Sequence, residues 1–588
     1  MKHLQYLNKF YIKYKWRLLL GIVFVAGSNY FGVLIAQEIR DALNLVKSEI
    51  FNYKAAAGTV KNDMYATLGH TLFMFGLIVI GYMLLKGFLM FLMRQTIIVT
   101  SRLIEYDMRK EIFGHLETLD THYYKKYQTG DLMARITEDV SKVRNYLGPG
   151  VLYGINLLTL FPMTIFAMFQ VNVELAIYTL IPLPILSISI YYISSLINEK
   201  STEIQQQMSR LSSLSQEVFS GIRVVKSYGK EEEFYQYFAE ESENFRKKSL
   251  VLARINAYFH PLMILLINIS TLIVLLVGGH QLTSGTIQPG NIAEFIIYVN
   301  MLTWPMTSIG WIASVIQEAE ASQQRINEIL DTKSTLVNVS EEKVNIKGKI
   351  EFRNVSFTYK DTGIAALKDV SFIINPGEKM AIIGRTASGK STLAELLLRM
   401  YDVDEGAIFI DDKNIKEYNL KGLRQRIGYV TQDVFLFSDS VSNNINFGAA
   451  NASQEEIERY AGYAAVHDDI MRLPNAYETM VGERGVTLSG GQKQRISIAR
   501  ALIKDPDIVI MDNSLSAVDT ETEHQIQEYL NEVIKHKTSI IITHRVTGLN
   551  AYDKILVLDE GIPVEFGSHD ELSANIGHYA QMIENTTY

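Results

Sequence analysis

The chain has 588 residues, 48% of them hydrophobic and 20% charged, and a formal net charge of −8. That length suggests more than one domain. The acidic balance, without any basic run interleaved with aromatics, argues against a nucleic-acid partner. Cysteine is absent, which excludes disulfides and thiolate metal sites.

The apolar residues are unevenly spread. Residues 1–331 carry long apolar runs, 332–348 form a polar linker, and 349–588 read as a soluble α/β domain. Lys2, Lys9, Lys13 and Lys15 precede the first apolar run. No small-residue cleavage site follows it and further runs come later, so it reads as a first transmembrane helix and not as a signal peptide. Six stretches, near 17–36, 68–93, 150–171, 173–197, 258–280 and 291–316, are long enough for bilayer crossing, which takes about 20 residues. The basic N-terminus predicts a cytoplasmic start, and six crossings return the chain to that side. A multi-pass protein of the cytoplasmic membrane is expected.

The connections 94–149 and 198–257 are long and charged, with apolar residues at helical spacing. They predict helices that continue well beyond the bilayer on the cytoplasmic side. Lys86 is the main charged residue within the spans. An intramembrane lysine is a functional candidate, and the alternative is a side chain that snorkels to the inner end of its helix. The spans are rich in Met, Phe and Tyr, which re-pack around apolar or amphipathic compounds.

After the linker, residues 350–359 alternate as a strand with one slip near Asn354 and end on Tyr359. That tyrosine can stack on a nucleotide base or serve as an ordinary strand aromatic. The apolar strand 379–383 leads into Gly384-Arg385-Thr386-Ala387-Ser388-Gly389-Lys390-Ser391, with Thr392 next. A strand, a glycine-bounded loop and a helix in that order form a phosphate cradle. Backbone N–H groups point at the β-phosphate and the helix terminus adds positive potential. Lys390 can reach the β- and γ-phosphates, and the Ser391 hydroxyl can hold Mg²⁺. Binding of ATP or GTP follows. Residues 507–512 then form an apolar strand ending in Asp512, placed to hold the same Mg²⁺. Before it, Leu488-Ser489-Gly490-Gly491-Gln492 opens a helix and makes a second anion-binding terminus.

This LSGGQ run, with six spans before it on one chain, resembles the ABC ATPases of the exporter type. The chain is similar to bacterial half-transporters of the multidrug and lipid exporter group. The resemblance implies a membrane α-helical domain of six transmembrane helices with long cytoplasmic extensions, joined to an α/β P-loop ATPase domain. It implies ATP and Mg²⁺ as cofactors and a second half-transporter chain as partner. Each ATP would then lie between one chain's residues 384–392 and the other chain's Ser489, Gly490, Gly491 and Gln492.

Further positions match one by one. Tyr359 resembles the adenine-stacking aromatic, and Gln432 the glutamine that contacts Mg²⁺ and the transmembrane helices. Glu483 lies in a segment expected to contact the coupling helices. Ser516-Ala517-Val518-Asp519 resembles the loop that crosses the dimer interface, and His544 the γ-phosphate-sensing histidine. Residues 120–140, with T-G-D-L-M-A-R, and 215–233, with S-G-I-R-V-V-K-S-Y, resemble the two coupling segments that dock on ATPase domains.

One position departs from the family pattern. Active members place Glu directly after the Asp at the end of the strand, and here Asp512 is followed by Asn513. A carboxylate can accept a proton from the attacking water, whereas an amide orients water but is a very poor base. Three explanations fit: the naturally degenerate half of a heterodimer, an engineered substitution, or a slow homodimer. The function expected is an ATP-driven exporter subunit that moves hydrophobic or amphipathic compounds, with poor hydrolysis at its own site. A lipid flippase half-transporter is the alternative, and an ATP-gated regulatory or channel-like subunit is a third reading.

Overall fold

The computed structural model describes residues 2–584 except 56–59, 450, 483–484, 486, 515–519, 547 and 576. The chain forms two compact units. Met1–Glu117 and Gly130–Thr332 make one, and Thr118–Thr129 and Lys333–Tyr588 make the other.

Among the described residues the first unit contains six helices long and apolar enough to span a membrane: Lys15–Ile50, Ala66–Leu116, Thr129–Val171, Val173–Ser220, Glu231–Thr283 and Pro289–Asp331. At about 1.5 Å per residue, a 43-residue helix is about twice as long as the ~30 Å hydrocarbon core. In the second to fifth helices the length beyond one span runs through the charged connections 94–149 and 198–257. The helices are not uniform. Wide π-turns interrupt them at Arg94–Ile98, Arg135–Asp139 and Tyr146–Gly150. The last contains Pro149, which lacks the N–H an α-turn needs.

The core of this unit joins Val33 and Ala36 of the first spanning helix, Met168 of the third, Leu175 of the fourth, Val274 of the fifth and Phe295 and Tyr298 of the sixth. Small residues allow close approach between helices. A methyl group added at Gly32 would come within 3.3 Å of both the Lys86 Nζ and the Met301 Cε. Ser28 lies level with the Lys86 backbone, its hydroxyl donating to the Lys86 carbonyl at 3.5 Å. The Lys86 stem thus runs a turn toward the N-terminal end of its own helix, as helical side chains do. That is away from the Met93 end, to which snorkelling would carry it.

Among the described residues the second unit has ten strands: β1 (Ile350–Tyr359), β2 (Ile364–Ile374), β3 (Lys379–Gly384), β4 (Glu405–Ile410), β5 (Lys413–Asn414), β6 (Ile427–Val430), β7 (Ile508–Asp512), β8 (Thr538–Ile542), β9 (Lys554–Asp559) and β10 (Ile562–Gly567). An antiparallel sheet runs β2-β1-β4-β5, and a six-stranded sheet runs β10-β9-β3-β8-β7-β6. In the larger sheet β9, β3, β8, β7 and β6 are mutually parallel. Its inner strands are mostly apolar, and β7 is buried at every position, as a parallel strand covered on both faces requires. The slip in β1 is real. Asn354 has φ 47°, and the pairing register with β2 shifts between Phe352 and Val355. Phe352 and Phe372 stack across this pair with ring centroids 4.5 Å apart.

The segment Thr118–Thr129 belongs to this second unit, although it lies in sequence between two spanning helices. Asp120 caps its short helix by accepting the Tyr123 N–H at 3.2 Å. Its other carboxylate oxygen accepts both the Thr335 N–H and the Thr335 hydroxyl at 2.7 Å. The remainder of residues 120–140 is held within the first unit. There Arg325 pairs with Asp131 at 2.7 Å and with Asp139 at 3.2 Å. Residues 215–233 lie in the first unit, where Phe219, Val224 and Tyr228 are exposed.

Candidate nucleotide-binding site

Four neighbouring parallel strands deliver the site. The loop after β3 is the phosphate cradle, His544 follows β8, Asp512 ends β7, and Gln432 follows β6. Ligands of open α/β sheets bind at these carboxyl ends. The loop's backbone depends on glycine at two points. Gly384 has φ 150° and Gly389 φ 95°, and a side chain would collide with the Leu558 carbonyl at the first and the Ala366 carbonyl at the second. Ala387 also adopts a left-handed conformation, with φ 65°.

Lys390 is buried, and its ammonium donates to the Gly384 carbonyl at 2.9 Å and the Arg385 carbonyl at 2.6 Å. Burial pulls its pKa below the usual lysine value, partly offset by the Asp512 charge. Asp512 is its counterpart. Burial raises the carboxyl above the ordinary range, and a hydrogen bond from Ser391 and the Lys390 charge partly offset that. Both groups would gain from charges brought to them, phosphate oxygens for Lys390 and a cation for Asp512. His544 is exposed as a residue, but desolvation of its ring and the Lys390 charge hold its pKa below the ordinary value.

A cavity of about 480 Å³ gathers most of the sequence-predicted residues. Tyr359, residues 386–392, Gln432, Asp512 and His544 all line it. The sequence reading missed further wall residues, among them Ala366 and Gly561, which reach the cavity from β2 and the β9–β10 turn. Only the fold brings those segments to the loop. The Tyr359 hydroxyl donates to Glu395 at 2.9 Å and lies 3.1 Å from the Thr392 hydroxyl. Burial lifts its pKa to about 12.

Asn513 is not among the residues lining this cavity. It borders the neighbouring one, together with Glu523 and Arg545, which form an ion pair. Its φ is 47°, and its N–H donates to the Ile542 carbonyl at 2.9 Å. Ser489, Gly490, Gly491 and Gln492 also lie away from the cavity. They open the Gly490–Leu502 helix through a reciprocal cap: Ser489 Oγ accepts the Gln492 N–H at 3.3 Å, and Gln492 Oε1 accepts the Ser489 N–H at 3.0 Å. The S-x-x-Q spacing is a sequence-level sign of such a box. Glu483 and residues 516–519, Asp519 included, lie outside the described residues.

Comparison with known proteins agrees with this architecture. Residues 19–306 match the ABC transporter transmembrane region, and residues 367–516 match the ABC transporter domain. The chain is 37% identical over 477 residues to the multidrug resistance-like ATP-binding protein MdlA of Escherichia coli K12, covering 81% of each. It is 39% identical over 488 residues to the probable multidrug resistance ABC transporter ATP-binding/permease protein YheI of Bacillus subtilis 168, covering 82% of this chain and 83% of that one. It is 36% identical over 482 residues to an ATP-dependent lipid A-core flippase of Pseudomonas fluorescens Pf0-1, covering 81% and 79%. Among solved structures, a bacterial Atm1-family ABC exporter with ATP bound superimposes with a TM-score of 0.78 at 25% identity, over 98% of both chains. The chain belongs to the ABC transporter family, as an exporter-type half-transporter with its transmembrane region and ATPase domain on one polypeptide.

Proposed function

We propose that this chain is the ATP-holding, weakly hydrolysing half of a heterodimeric exporter of hydrophobic or amphipathic compounds. The observation that carries the reading is Asn513 directly after Asp512, beside a cradle that is otherwise complete. In this reading the chain spans the cytoplasmic membrane, with residues 1–331 as its transmembrane domain and 349–588 as its ATPase domain on the cytoplasmic side.

The chain's own residues divide the work. The backbone of residues 384–389 receives the phosphates, and Lys390 exchanges its carbonyl partners for phosphate oxygens. Tyr359 takes the base and His544 approaches the terminal phosphate. Ser391 and Asp512, with Gln432 nearby, offer hard oxygen donors suited to Mg²⁺, which would neutralise phosphate charge. Among the described residues no cluster of three or more His, Asp or Glu is placed to hold a metal. One carboxylate and one hydroxyl, completed by nucleotide phosphates, is the usual arrangement for Mg²⁺.

At Asn513 the amide can orient a water but cannot take its proton. Loss of a general base typically costs about 10²–10⁴ in rate. Ser489–Gln492, away from this chain's own cavity, would face the partner's cradle and complete the hydrolytic site there. The identity to MdlA and YheI favours compounds over lipids as cargo, and the flippase relative keeps the lipid reading as second.

The test is the ATPase activity of the purified chain without a second subunit, in lipid nanodiscs. Nucleotide binding with hydrolysis at least a hundredfold below that of a Glu-bearing half-transporter supports the proposal. Robust turnover by the single chain contradicts it.

A further inference from the structure

The segment Thr118–Thr129 places a cation against the tyrosine assigned to the base. The Lys125 Nζ sits 4.7 Å from the Tyr359 ring centroid and 5.0 Å from that of Tyr401. It also lies 3.9 Å from the Glu395 carboxylate, the group that accepts the Tyr359 hydroxyl. Tyr359 is held edge-on by Phe357 at 4.9 Å and by Tyr401 at 5.6 Å. Its ring borders the nucleotide cavity, whereas Lys125 and Tyr401 are not among the cavity's lining residues. The ammonium thus acts on Tyr359 from outside the space a base would fill.

Lys125 is partly exposed, but the helix that carries it is anchored. Its helix, Thr121–Lys126, is capped by Asp120, Tyr123 is buried, and the Thr121 hydroxyl lies 3.7 Å from the Met400 Sδ. Met400 and Tyr401 belong to the ATPase domain, so the anchored helix holds the cation beside that domain's aromatic rings and the Glu395 carboxylate.

We propose that Lys125 is a positioning residue for the nucleotide's purine base: it fixes the plane of Tyr359 so that the ring presents its cavity face already ordered. Ordering a stacking surface in advance removes a cost from binding. Because Lys125 lies on the stretch between the second and third spanning helices, base stacking and the seating of that stretch are thermodynamically linked, each favouring the other to the same extent. The inference rests on the reading of Tyr359 as the base platform.

The experiment compares affinities of ATP and of tripolyphosphate, which has the phosphates without the base, for the full-length chain in nanodiscs with Mg²⁺. Three variants are measured against wild type: Lys125→Met, Lys125→Arg and Tyr359→Ala. Lys125→Met is expected to weaken ATP about two- to fivefold, the range for a partly exposed cation over an aromatic ring. It is expected to leave tripolyphosphate unchanged, and Lys125→Arg is expected to restore ATP binding. Tyr359→Ala is expected to weaken ATP at least about fivefold relative to tripolyphosphate. If Tyr359→Ala leaves that ratio unchanged, the platform reading fails and the inference with it. If Tyr359→Ala behaves as expected while Lys125→Met changes neither ligand, or both equally, the role of Lys125 alone is overturned.

Discussion

Two helices of the ATPase domain begin beside glycines, and their first turns are finished differently. The Lys390–Leu397 helix starts from Gly389 in a left-handed conformation with no side-chain cap. The Gly490–Leu502 helix starts from Ser489, whose hydroxyl is engaged with Gln492. The first leaves its leading N–H groups to the loop and to whatever the loop encloses. The second satisfies part of its own terminus and is stable without a ligand, as a surface offered to another molecule must be. One chain therefore carries a receptor for phosphate and a ready-made face for someone else's.

That contrast can be broken first at Lys390. Lys390→Ala removes the charged donor of the cradle, and ATP affinity measured by calorimetry should fall by about tenfold to a hundredfold, the range for a hydrogen bond to a charged group. Ser489→Ala acts on the other terminus. It should leave ATP affinity of the isolated chain unchanged, lower stability by about 1 kcal/mol through loss of the cap, and reduce turnover only once a partner is present. Equal loss of ATP affinity in both variants would erase the distinction between the two ends.

Behind the second terminus, Arg500 is partly buried. It donates to the carbonyls of Asn444 and Phe435 and to the Asn444 side chain, each at 2.8 Å. Burial pushes its pKa down to about 10. Arg500→Ala should cost about 2–4 kcal/mol in denaturant unfolding of the ATPase domain, because the carbonyls lose a charged donor. It should loosen the residues following Gln432 and the signature helix together.

The smallest expected effect is electrostatic. His544 has a folded pKa below its ordinary 6.5. The folded state therefore binds fewer protons than the unfolded state in that window, and stability falls as pH drops from 6.5 through the folded value. A His544→Gln variant should lose less thermal stability over the same acid shift. Identical pH profiles would show that this histidine does not contribute.

The cradle and the signature were legible in the sequence because each is a contiguous run whose chemistry is set by its own backbone. The six helices were legible for a similar reason, since their apolar stretches are local. The Lys125–Tyr359 contact was not, because it joins a loop between two spanning helices to the first strand of the ATPase domain. Nor was the aim of Lys86, which depends on Gly32 of another helix leaving room for it. Asn513 was read for its chemistry, but its conformation was hidden. At φ 47° it occupies a region that asparagine visits readily and glutamate does not. Asn513→Glu should therefore lower stability by about 1 kcal/mol even where it restores chemistry.

That substitution gives the most direct test of the central claim, that this chain grips ATP without cleaving it efficiently. Single-turnover hydrolysis would be followed in the assembled pair, with the partner chain's own cradle inactivated, for wild type and Asn513→Glu at nucleotide concentrations that saturate both. The account predicts matched ATP affinity and a rate at least a hundredfold higher in the variant. Equal rates, with both chains saturated, would contradict it.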